Sequence, residues 1–197
     1  MKKILLLAMV LIGAIAAQAK DDLAVETGSI AELLNSENTV LFKVDYSKAK
    51  IPFDGNTYNL DSYLKKRGDD FVADWKKDSD KAYSYLPVRY NQKNKKGAKA
   101  SESATGAHNI LCTINLSEID FGNGGAAFNP FGGAKAGGCI ITGQMTFTDK
   151  KGAKLAVIPF SKIKGIGHPS ETIRLGMSYF ELMNKLGDLI KKESKKK

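Results

Sequence analysis

Cys112 and Cys139 are the only thiols in the chain, and His108 and His168 the only imidazoles. That scarcity excludes a Cys/His zinc site, since neither zinc-ligand spacing nor an H-E-x-x-H pair is present. A G-x-S-x-G nucleophile elbow is missing too. The two cysteines suit a different chemistry. Alternation over 108–117 groups Cys112 with Ile110, Ile114 and Leu116, and alternation over 139–148 groups Cys139 with Ile141, Met145 and Phe147. Both sulfurs should therefore face the core. Two adjacent strands could join them in a disulfide, which would contribute about 3–4 kcal/mol. The alternative is a pair of buried free thiols. In an oxidising compartment an even count favours the bridge.

Carboxylates offer less. Asp70, Asp74 and Asp78 recur every four residues on one helical face, a spacing that could gather a cation. They are interleaved with lysines and lack an EF-hand's turn glycine, so a solvated face is the simpler reading and no metal site is expected. Glu118 and Asp120 flank Ile119; parity would place them on the apolar face of Ile114 and Leu116. The strand is more simply expected to stop before them. Gly165-Ile166-Gly167-His168-Pro169-Ser170 follows a strand and opens a helix, a context that can hold an anion. The acidic residue and further strand of a dinucleotide site do not follow, so this is read as an ordinary turn with Ser170 as N-cap. No catalytic residue and no cofactor are expected.

The segment 121–138 holds seven glycines punctuated by phenylalanines and asparagines. Phe121, Asn123, Phe128, Asn129 and Phe131 are the candidate binding residues. Exposed rings on pliant backbone would dock a partner, a glycan or a membrane surface. Otherwise the rings fold back onto the sheet edge, which is the simpler arrangement.

The elements that must position these groups are legible as follows. A capping box at Ser29 and Glu32 predicts a short helix over 30–35. Residues 39–46 alternate Val40, Phe42, Val44 and Tyr46 against Lys43 and Asp45, predicting the first strand. Pro52 and Asp54-Gly55-Asn56 make a turn. One long helix is predicted from Asn59 to about Leu86, weakened at Gly68 and kinked or ended at Pro87, with a possible further turn over 88–91 and Trp75 as a core anchor. Residues 92–106 read as a loop or ragged edge strand. Strands over 108–117 and 140–148 follow, then a tight turn at 149–152 into a strand over 154–162. A second long amphipathic helix covers 170–191. The order predicts an α+β fold: a single mixed β-sheet of about four to five strands packed against two long amphipathic helices.

Residues 1–19 read as a cleavable signal peptide. Lys2 and Lys3 precede an uncharged apolar run over 4–16, and Ala17-Gln18-Ala19 supplies the small-x-small cleavage pattern. Thirteen apolar residues fall short of the ~20 needed to span a bilayer. Residues 20–197 then form one domain, ending in a basic, frayed tail over 191–197. Without Lys2 and Lys3 the chain keeps 28 basic against 21 acidic residues. Export argues against nucleic acid as the partner of this charge and favours an envelope protein or an anionic envelope component. The blander account is a solvated lysine surface.

The leader, the segment 39–47 with Asp45-Tyr46-Ser47, and the charged helix bearing Trp75 form a recognisable set with Gly143-x-Met145-x-Phe147-x-Asp149-Lys150-Lys151-Gly152-x-Lys154 and the closing amphipathic helix. Together they resemble small exported Bacteroidetes proteins of uncharacterised function. The strand–turn–strand–helix end is similar to the α/β domain of the curli-secretion lipoprotein and the Tol periplasmic protein amino-terminal domain. The resemblance implies an envelope-associated, non-enzymatic domain and carries over no catalytic residues. No cysteine stands near Ala19, where the lipoprotein relatives carry theirs, so no lipid anchor is expected. The expectation is thus a periplasmic or secreted binding or assembly module; the alternative is an exported hydrolase acting on an envelope polymer.

Overall fold

The computed structural model describes residues 23–103, 105–122 and 137–196. Eight strands are present among them: β1 (Thr27–Gly28), β2 (Thr39–Asp45), β3 (Ile51–Phe53), β4 (Asn56–Tyr58), β5 (Lys99–Ala100), β6 (Ile110–Asp120), β7 (Ile140–Asp149) and β8 (Lys154–Lys164). Three α-helices accompany them, α1 (Leu60–Arg67), α2 (Asp69–Lys93) and α3 (Glu171–Ser194), with a 3-10 turn at Ala31–Leu34. Six strands form one mixed sheet in the order β1-β8-β7-β6-β2-β5, parallel at β2–β5 and β2–β6 and antiparallel elsewhere. The class is the expected α+β. The sheet exceeds the expected four to five strands because two-residue edge strands, too short to leave a periodic signal, close both sides.

Alternation placed the core-facing residues well. Val40, Phe42, Cys112, Ile114, Met145 and Phe147 are all buried and pack with Leu86, Tyr90, Leu182 and Leu186 of the helices. Lys43 and Gln144 face solvent on the other side. At the 149–152 turn, Asp149 Oδ1 accepts the amides of Lys151 and Ala153, both at 2.8 Å.

Three expectations need correction. The predicted helix from Asn59 is two helices: Gly68 adopts φ 90°, ends α1 and starts α2, and Asn59 caps α1 by accepting the Ser62 amide at 2.8 Å. At Pro87 the expected further turn over 88–91 is the outcome, and α2 runs on to Lys93. Its last turn is held from outside: buried Asn94 donates to the carbonyls of Leu33 and Ala98 and to the Tyr90 hydroxyl, while Leu86 and Tyr90 are fully buried. These contacts offset a proline cost of about 3 kcal/mol. At the other end of the chain, the expected frayed tail is helical as far as Ser194. At Ser29 the expected capping box does not form, and the expected helix is a 3-10 turn over Ala31–Leu34 with Ile30 at its N-cap. Ser29 Oγ accepts the Ala31 amide at 3.1 Å, but Glu32 turns instead to Asn38 at 2.8 Å.

α2 and α3 run parallel on the helical face of the sheet. Contacts climb both helices together: Asp78 with Ser170, Tyr85 with Phe180, Arg89 with Asn184 at 2.5 Å, Lys93 with Asp188 at 3.3 Å. Gly176 permits the close approach, since a methyl there would lie 2.6 Å from the Tyr85 ring. Among the described residues no helix is long and apolar enough to cross a membrane.

Candidate functional site

A cleft of about 950 Å³ opens where four elements end together. The β3–β4 hairpin supplies Pro52, Phe53, Asp54 and Gly55; α1 supplies Tyr63 and Arg67; the end of β6 supplies Asp120, Phe121 and Gly122; the entry to α3 supplies Pro169 and Glu171. Each is put there by local chemistry. Asp54 and Gly55 take φ values of 50° and 72°, the left-handed pair that a two-residue hairpin turn requires. Ser170 Oγ accepts the Ile173 amide at 3.3 Å, confirming it as the cap of α3 and fixing Glu171 in the first turn.

Glu171 organises the wall. Its Oε2 accepts the Tyr63 hydroxyl at 2.5 Å, and its Oε1 accepts Arg67 Nη1 at 2.6 Å. Arg67 Nη1 also donates to the Tyr63 oxygen at 3.0 Å. The Arg67 guanidinium lies 4.6 Å from the Phe71 ring centre and 5.1 Å from that of Phe53, positions favourable for cation–π attraction. Burial pulls the Arg67 pKa down, but the bond and charge of Glu171 outweigh it and the net direction is up. Burial, then the bond to Glu171, pushes the Tyr63 hydroxyl up as well, so it stays protonated and donating.

Behind this wall sits Arg174, whose side chain is 0 % exposed. Its Nε donates to the Phe121 carbonyl at 2.9 Å and its Nη1 to the carbonyls of His168 at 2.7 Å and Pro169 at 3.1 Å. Nη2 has Glu171 Oε1 at 3.7 Å and no hydrogen-bond acceptor among the described residues. One guanidinium therefore ties the 165–170 turn to the end of β6. The turn needs no anion to hold its shape.

Of the expected binding residues, Phe121 is buried, 3 % exposed, stacked on Tyr63 at 5.2 Å between ring centres and edge-on to Trp75 at 6.1 Å. It follows the covered arrangement rather than the exposed one. Asn123, Phe128, Asn129 and Phe131 lie outside the described residues. Trp75 is the core anchor expected of it.

The expected Cys112–Cys139 disulfide is absent: both are free thiols and both are buried. Parity had the face right and the register wrong. Cys112 pairs with Phe147, and Asp120 with Ile140, so Cys139 lies opposite Phe121. Nine residues of strand separate the two sulfurs' positions, about 30 Å, far beyond the ~4–7 Å a disulfide tolerates between Cα atoms. Burial raises the Cys112 thiol well above its ordinary range and Cys139 to about 12, so neither is an activated nucleophile.

The carboxylate expectation also changes. β6 does not stop before Glu118; a bulge between Leu116 and Glu118 resets its parity. Ile119 is thereby buried, Glu118 turns to solvent and Asp120 reaches the cleft rim, where its Oδ1 accepts the Gly122 amide at 2.8 Å. Asp70 and Asp74 are exposed on the outer face of α2. Among the described residues no group of three or more His, Cys, Asp or Glu is arranged to hold a metal ion.

Sequence reasoning missed Tyr63, Arg67, Glu171 and Arg174. Tyr63 and Arg67 stand one helical turn apart and so share a face, a signal that was available. Nothing in the sequence marks their meeting with residues more than a hundred positions later. No family model matches this chain, and no curated protein matches it. Among solved structures, a variant of the PelC dodecamer from Paraburkholderia phytofirmans is similar at 8% identity and a TM-score of 0.33. That likeness covers 81% of this chain and 92% of the other, and is too slight to carry an argument.

Proposed function

We infer that the chain is an exported envelope protein and that it works as a non-catalytic binding or assembly module, receiving its partner in the cleft at the root of the 121–138 segment. The observation that carries this reading is the engagement of two of the three carboxylates on the cleft lining, Glu171 and Asp120, the third being Asp54 on the hairpin turn. Glu171 is held by two donors and a neighbouring guanidinium, and Asp120 by a backbone amide. A general acid or base must be free to move a proton. Glu171 is instead committed to holding a wall, and a rigid wall of rings and fixed charges is the feature of a recognition surface.

The test places a photo-crosslinking residue at Phe53 on the cleft rim and, for comparison, at Val88, which is exposed elsewhere. Adducts formed in intact producing cells from Phe53 and not from Val88, and lost in Asp54→Lys, support the reading. Recovery of a chain with Met1 intact from the cell interior overturns export. Release of soluble fragments from an envelope polymer, abolished by Asp120→Asn, replaces the module with the hydrolase.

A further inference from the structure

The parallel course of α2 and α3 places both helix C-termini at one end of the molecule, away from the cleft. Each C-terminus leads into a lysine run: four lysines over 93–99 and four over 191–196. The runs are nearly a hundred residues apart in sequence but adjacent in space. Lys93 Nζ reaches Asp188 at 3.3 Å, and a methyl on Gly187 would fall 2.4 Å from Lys93 Cβ. Lys191 is one helical turn beyond Gly187. All eight lysines are exposed.

The ordinary role of lysines here is to complement the negative ends of two helix dipoles. Lys99 does this, donating to the carbonyls of Asn94 at 3.1 Å and Lys95 at 2.7 Å. The supply exceeds that need. Asp188 pairs with Lys93, and Glu193 with Lys196 at 2.6 Å. The other six lysines have no carboxylate partner among the described residues. Neither run contains an arginine, so the end offers no planar fork for oriented recognition of one phosphate or sulfate. It offers flexible point charges on a face that two helix ends share. That chemistry suits a plane of dispersed negative charge.

We propose that this end of the molecule is a docking surface for an anionic lipid bilayer. The inference goes beyond the cleft reading and does not depend on it. Each lysine near such a surface adds about fivefold to partitioning, and the attraction falls with salt because it acts across a Debye length.

Flotation with phosphatidylglycerol-containing vesicles tests this, using the chain as recovered from producing cells and pure phosphatidylcholine vesicles as the reference. Three triple variants are compared: Lys95, Lys96 and Lys99→Gln; Lys191, Lys192 and Lys195→Gln; and, as control, Lys65, Lys66 and Lys76→Gln. The expected result is a loss of about a hundredfold for either run, less than threefold for the control, and loss of binding on raising salt from 0.05 to 0.3 M. The proposal is overturned if either run is neutralised without effect, if the control loses as much, or if binding ignores salt. It is equally overturned if dextran sulfate captures the chain under conditions where the vesicles do not.

Discussion

The two ends of the α2–α3 pair handle charge in opposite ways. At the start of α3, Glu171 and Arg174 are withdrawn from water and Arg67 partly so, and they are bound to Tyr63, to three backbone carbonyls and, through Glu171, to one another. At the far end, about 37 Å away along a 25-residue helix, eight lysines stand in solvent with two carboxylates between them. Buried charge is costly unless it is paired and bonded, and here only Arg174 Nη2 lacks an acceptor among the described residues, so the first end is rigid and intolerant of change. Solvated charge costs little and contributes little to stability. The first arrangement builds a shaped wall; the second leaves its charge available to something outside the molecule.

Breaking that contrast should give effects of very different size. Arg174→Met, which keeps most of the side-chain volume, removes the donors to Phe121, His168 and Pro169; chemical denaturation should register a loss of about 3–5 kcal/mol. A loss below 1 kcal/mol would mean the network is not structural. Alkaline pH tests the same end next. Cys139 and Tyr46 are both raised to about 12 by burial, so their folded pKa values exceed the unfolded ones. The stability they contribute is fully present below pH 9 and is lost as pH rises towards 12, with a slope of about 1.4 kcal/mol per pH unit for each group. Cys139→Ala should flatten the curve by one such slope, and an identical curve would show the thiol is not shielded. Thiol labelling sharpens the point: no reaction in the folded chain at pH 8, and two labels without prior reduction once it is unfolded.

Tyr63→Phe should cost about 1–2 kcal/mol, since Arg67 still holds Glu171 when the phenol is gone. Smallest of all, neutralising Lys191, Lys192 and Lys195, none of which holds a backbone carbonyl as Lys99 does, should move stability by less than about 0.5 kcal/mol. A larger shift in that variant would erase the distinction between the two ends, because those lysines would then be structural.

How much of this was legible depended on the range of the interaction. Val40, Phe42, Ile114 and Phe147 were assignable to the core from alternation alone, as was Ser170 to the α3 cap, since both depend on neighbours within a turn or a strand. Cys112 and Cys139 illustrate the limit: parity fixes a face, but which residue lies opposite depends on register, and register placed Phe147 there. The bulge before Glu118 was invisible for a related reason, since one extra residue reverses parity and leaves no compositional trace. The cleft fared worst, because Tyr63, Arg67, Phe121 and Glu171 come from three separate stretches of chain.

From the order of residues alone came the longer strands and helices, the apolar faces, the scarcity of thiols and imidazoles, and the abundance of lysine. All of these follow from local geometry and side-chain chemistry. The tertiary structure decided the rest: that α2 and α3 run in the same direction, that one guanidinium laces the α3 entry to β6, and that two distant lysine runs share a single end. Packing direction and strand register are set by the summed contacts of the whole core, and no short window of sequence contains that sum.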